Sequence, residues 1–137
     1  MEDTAAAAAA SPDPSRKVGC VIVTSDGQTI NQCNNIVRGC RVTPERLTRP
    51  EKYTWIEHAE RNAIYEAARR GISLLDATLY VNYFPCIECC RAVIQSGIST
   101  LVVPGRPDLD HPRWGPSFRQ ATVMMEEVGL RVVYNNE

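Results

Sequence analysis

Glu57-His58-Ala59-Glu60-Arg61-Asn62-Ala63-Ile64-Tyr65-Glu66-Ala67-Ala68-Arg69-Arg70 places Ala59, Ala63, Ile64 and Ala67 on one side of a helix, and Gly71 follows where a helix would end. Downstream, Thr78 to Tyr83 reads as a strand and Cys86 to Ser96 as a helix stopped by Gly97. Thr100 to Val103 is the next strand, Pro104 to Pro116 a loop, Phe118 to Val128 a helix closed by Gly129, and Leu130 to Tyr134 the last strand. Upstream, Val18 to Val23 is rich in β-branched residues, Asp26-Gly27 is a hairpin turn, and Thr29 to Asn35 is the returning strand. Arg38 to Lys52, polar and holding Pro44 and Pro50, reads as a long loop of a length often tied to function. A hairpin followed by alternating helices and strands predicts an α/β domain of three layers, α/β/α, with helices on both faces of a mixed sheet of about five strands.

The chain has 137 residues, enough for one core. Residues 15–137 are expected to form the single domain. Residues 1–14 are either a tail or a short helix: Ala5 to Ala10 favours helix, an isolated helix of that length is marginal, and Ser11-Pro12-Asp13-Pro14 breaks it off. With 15 basic against 16 acidic side chains, the chain lacks the charge of a protein that coats nucleic acid. No apolar stretch reaches the roughly 18 residues of a membrane span. The N-terminus has neither the positive start nor the apolar centre of a secretory signal. A cytoplasmic setting is therefore expected, with six reduced cysteines whose clustered members serve a metal or catalysis.

Two segments carry the chemistry. His58-Ala59-Glu60 opens one helix, and Pro85-Cys86-Ile87-Glu88-Cys89 joins a strand to another. One imidazole and two thiolates form a three-ligand zinc set, which leaves the fourth position for water as catalytic sites do. Cys86 and Cys89, three apart, can share a helix face. Helix N-termini favour thiolates and hydroxide. Zinc lowers the pKa of its water to about 7. Glu60, two residues beyond the ligand His58, is placed to take the proton from that water and pass it to a substrate. A structural zinc site would give Glu60 no such task. Glu88 reads as an exposed or capping carboxylate. Cys20, Cys33, Cys40 and Cys90 read as small buried residues, with a second metal site using His111 as the other option.

The pairing of H-x-E with P-C-x-x-C is the recognised signature of zinc nucleobase deaminases. The chain resembles the cytidine and deoxycytidylate deaminase superfamily, and within it the deoxycytidylate (dCMP) deaminases. The likeness runs from Ser11 to about Val103. It includes Ser11 to Gly19, Asp26-Gly27, Cys33-Asn34, Gly39-Cys40, Tyr53, His58 to Ile64, Tyr80-Val81, Phe84-Pro85-Cys86 and Ile94 to Ile98. The resemblance implies a cytidine-deaminase-like fold, Zn2+ as cofactor and hydrolysis of dCMP to dUMP and ammonia. It also implies Glu60 as the catalytic residue and a homo-oligomer, dimer or higher. It further implies that Asn34 faces the sugar, and that Ala59, Phe84 and Pro85 frame the base. The alanine run, Asn82 and the stretch from Pro104 to Gly115 depart from the family pattern.

Those departures leave the substrate open. A free base or analogue (cytosine, guanine or a triazine) is the second reading. Editing of tRNA or DNA is the third, disfavoured by the balanced charge, and a non-enzymatic binding module is the fourth. For a substrate phosphate the candidates are Arg41, Arg46, Arg49 and Lys52 in the first long loop, and Arg106, Arg113 and Trp114 in the second.

Overall fold

A computed structural model describes residues 1–136; the last residue of the expected domain, Glu137, lies outside them. The strands are β1 (Gly19–Val23), β2 (Thr29–Cys33), β3 (Asn35–Ile36), β4 (Ile56–Glu57), β5 (Thr78–Val81), β6 (Thr100–Val103) and β7 (Arg131–Tyr134). The helices are α1 (Glu2–Ala8), α2 (Lys52–Trp55), α3 (Ala59–Arg70), α4 (Ile87–Gln95) and α5 (Gly115–Val128), with a single 3-10 turn at Glu45–Leu47. Five strands make one mixed sheet in the order β2-β1-β5-β6-β7, antiparallel around β1 and parallel from β5 to β7. β3 and β4 form a separate small ribbon.

Strand alternation explains the layers. Cys20, Ile22, Leu79, Val81, Leu101 and Val103 point to one face, where they pack with Ala59, Ala63 and Ala67 of α3, Val93 of α4 and Ala121 and Met125 of α5. α4 and α5 share that face because each is the crossover between neighbouring parallel strands, and such crossovers keep one hand. On the opposite face α1 packs over β1 and β2. Gly19 makes that contact possible, since a Cβ there would lie 1.9 Å from the Thr4 carbonyl oxygen. Thr4 and Ala8 are buried in consequence.

The elements differ from expectation mainly at their ends. The returning strand stops at Cys33, and Asn34 leaves the ladder before β3 begins. α3 starts at Ala59 because Glu57 belongs to β4, so His58 is the residue before the helix. Cys86 likewise precedes α4 instead of lying inside it. The long loop contains a 3-10 turn and runs into α2. α5 begins at Gly115, three residues before Phe118, because Pro116 suits the first turn. Gly71 and Gly129 end their helices in the left-handed conformation, as their positions suggested.

Candidate active site

The candidate zinc ligands come from two helix starts brought side by side by α3 and α4. The Nδ1 of His58 lies 3.3 Å from the Cys89 Sγ and 3.6 Å from the Cys86 Sγ. Bonds of about 2.1 Å to nitrogen and 2.3 Å to sulfur around a tetrahedral ion would hold the two donors about 3.6 Å apart. The donor set therefore fits zinc in both chemistry and spacing, and its three members leave one coordination position over. Among the described residues no second cluster of this kind exists. Glu88 is not a ligand; it is exposed and pairs with Arg61. His111 Nδ1 instead accepts the backbone N–H groups of Arg113 and Trp114, at 3.1 and 3.0 Å.

The site is electrostatically prepared for a cation. A hydrogen bond from the Cys89 thiol, aided by His58 and opposed by burial, pushes Cys86 down to about 4. The same contact and burial hold Cys89 well above the usual thiol range. Surroundings that favour a thiolate at Cys86 suit a cation, and a dication would stabilise the second thiolate. The hydrogen bond with Cys86 raises the pKa of His58 against the effect of burial.

Glu60 is 4% exposed, in the first turn of α3. Burial raises its carboxyl pKa above the ordinary value. A carboxyl so placed keeps a proton more readily than one in water, which suits a group that must receive one proton and return it.

Arg61 is a positioning residue that sequence reading missed. Its guanidinium bonds Glu57 at 2.6 Å and Glu88 at 3.0 Å, tying the start of α3 to that of α4 between the ligands. It stands inside the quoted run, but its partners lie four residues before it on β4 and 27 residues on, so spacing gave no sign of the bridge. Asn62 adds a second tie, donating to the Cys33 carbonyl at 2.9 Å. The Ser117 hydroxyl accepts the Ile87 N–H at 2.7 Å and joins α5 to the start of α4.

His58, Glu60 and Cys86 open onto a cavity of about 560 Å³. Asn34, Ala59 and Phe84 lie in its wall. Pro85, fully buried behind the wall, fixes the approach to Cys86. Phe84 stacks edge-on against Phe118, 5.5 Å between ring centroids. Asn34 has its polar atoms committed: Oδ1 accepts from the Val18 N–H at 2.9 Å and Nδ2 donates to the Arg16 carbonyl at 2.9 Å. It therefore shapes the 13–18 segment that borders the cavity. Of the suggested phosphate contacts, Arg49, Lys52, Arg113 and Trp114 line the cavity. Arg46 stacks on Trp55, 3.6 Å from the ring centroid, and Arg106 lies over Tyr134; with Arg41, both fall outside the lining.

Comparison with known proteins agrees with this geometry. The family model of the cytidine and deoxycytidylate deaminase zinc-binding region matches residues 1–104. An uncharacterised deaminase from the luxG 3' region of Aliivibrio fischeri is 32% identical over 124 residues, covering 90% of this chain and 82% of that protein. A probable deoxycytidylate deaminase of Caenorhabditis elegans is 36% identical over 130 residues, 88% of this chain and 59% of that one. The chain spans from 34% to 62% of the length of the curated deoxycytidylate deaminases it matches. The dCMP deaminase of cyanophage S-TIM5, solved with dCMP and dUMP, superposes with a TM-score of 0.77 over 98% of this chain and 92% of that one. At 19% identity this shows a common fold. The chain belongs to the family of zinc-dependent cytidine and deoxycytidylate deaminases.

Proposed function

We propose that the protein hydrolyses the exocyclic amine of dCMP or a related cytosine nucleotide, giving dUMP and ammonia. The observation that carries this reading is the three-donor set His58, Cys86 and Cys89, two of whose members, His58 and Cys86, line one cavity with the buried Glu60. Zinc held there would supply the acidity that makes water a nucleophile near neutral pH. Glu60 takes a proton from the attacking water and delivers it to the ring nitrogen, then takes the second proton from the newly attached hydroxyl and passes it to the departing amine. Water's oxygen replaces the amine as the carbonyl of the product, so atoms balance without another reactant. Arg61 keeps both helix starts in register, while Phe84, Phe118 and Trp114 give the cavity the flat apolar walls a pyrimidine ring needs.

The relatives described as deoxycytidylate deaminases support the nucleotide in particular. Conversion of dCMP to dUMP by zinc-loaded protein, with ammonia released in equal amount, is the direct test. Turnover of free cytosine or guanine with no gain from sugar and phosphate would move the reading to a free base.

We further propose a homo-oligomer. Leu75, Val123 and Val128 are more than half exposed and would be covered if they lay at a subunit contact. Light scattering of the purified protein would show a single monomer mass if this is wrong. A cytoplasmic, reducing setting accords with six unpaired cysteines, two of them ligands.

A further inference from the structure

The cavity has one chemical feature that deamination itself does not use. Its lining contains five cations, Arg16, Arg49, Lys52, Arg61 and Arg113. Lys52 is neutralised by Asp13 at 3.0 Å, and Arg61 by Glu57 and Glu88. Arg16, Arg49 and Arg113 have no carboxylate partner among the described residues. Three guanidinium groups without a carboxylate partner thus line one cavity on a chain whose net charge is −1. A focused positive field of this kind attracts anions.

Two of these side chains are held in place by groups that leave the charge intact. The Arg113 guanidinium donates to the Tyr53 hydroxyl at 3.0 Å, and Arg16 lies over the Tyr83 ring, 5.1 Å from its centroid. The backbone at Arg113 is fixed as well. His111 gathers the N–H groups of Arg113 and Trp114, and the turn packs so closely that a Cβ at Gly115 would sit 2.6 Å from the Leu109 carbonyl oxygen. The 104–115 stretch, which departs from the family pattern, therefore delivers a preorganised arginine to the substrate cavity.

We propose that Arg113 and Arg49, with Arg16 beside them, form the subsite that binds the phosphomonoester of the substrate. The fork of donors on a guanidinium matches phosphate oxygens, and charge-assisted hydrogen bonds of this type are the strong ones. Lys52, held by Asp13 and Ser15, takes no part. The proposal rests on the nucleotide reading given above and names the residues that distinguish a nucleotide from a nucleoside.

The test is calorimetric binding of dUMP, deoxyuridine and inorganic phosphate to the zinc-loaded protein and to Arg49→Gln/Arg113→Gln. Arg41→Gln, outside the cavity, serves as the control. The double variant is expected to lose roughly ten- to hundredfold in dUMP affinity per lost contact while deoxyuridine binds as before. Inorganic phosphate should compete with dUMP in the parent and not in the variant. Arg113→Lys keeps the charge without the fork, and should lose part of the dUMP affinity even if the double variant folds poorly. Equal losses for dUMP and deoxyuridine, or a parent that does not distinguish them, would overturn the subsite. Phosphate-dependent binding of dUMP without any turnover of dCMP would leave the subsite standing and remove the proposed reaction.

Discussion

Cys86 and Cys89 sit three residues apart and yet differ in surroundings. Cys86 precedes α4 and is partly open to the cavity, while Cys89 is fully buried in the first turn. The thiol of one stabilises the thiolate of the other, which makes the pair dependent on both members. Cys86→Ala should abolish stoichiometric zinc binding, measured by metal analysis after dialysis; a fully zinc-loaded variant would mean the ion sits elsewhere. Arg61 tests the supporting shell. Arg61→Gln removes the bridge between Glu57 and Glu88 and should lower zinc affinity by about ten- to hundredfold, read by competition with a chelator. The clustering of His58, Cys86 and Cys89 was legible in the sequence because their spacing carries chemistry. Arg61 and Ser117 were not, because each acts on a partner from a different element.

Among the elements, strands and helices were legible where period and punctuation agreed, as in α3 with its alanine stripe and the Gly71 end. Boundaries failed where tertiary contacts decide them. Glu57 continues the helical pattern by composition but pairs with Asn35 across the small ribbon. The alanine run could not be resolved from composition because its helix is stabilised by docking on β1, through a glycine whose role depends on a contact across the fold. Gly19→Ala should therefore displace α1 and cost about 1–3 kcal/mol by steric overpacking. Denaturant unfolding would measure this, and an unchanged midpoint would show that α1 does not need the close approach.

On the scale of the whole molecule, the segment before β1 is tied to the cavity wall by a buried ion pair. Asp13 meets Lys52 at 3.0 Å, accepts from Ser15 and lies beside Asn34. Burial raises the Asp13 pKa, but the hydrogen bonds from Ser15, Lys52 and Arg16 outweigh it and leave the value below 3.8. A carboxyl depressed in the folded state stabilises the fold above its unfolded pKa, and that contribution is lost as pH falls through the folded value. Asp13→Asn should thus destabilise the protein at pH 7 by about 1–3 kcal/mol. The gap to the parent should narrow below about pH 4. A constant gap across the acid range would mean Asp13 acts by packing alone.

The proposed deamination of dCMP rests on Glu60, buried beside the candidate zinc ligands. The decisive measurement is ammonia release from dCMP by the zinc-loaded protein beside zinc-loaded Glu60→Gln. The account predicts matching amounts of dUMP and ammonia from the parent and a loss of about 10²–10⁴-fold in the variant with zinc retained. A Glu60→Gln protein as active as its parent, or a zinc-loaded parent inert toward dCMP, would contradict it.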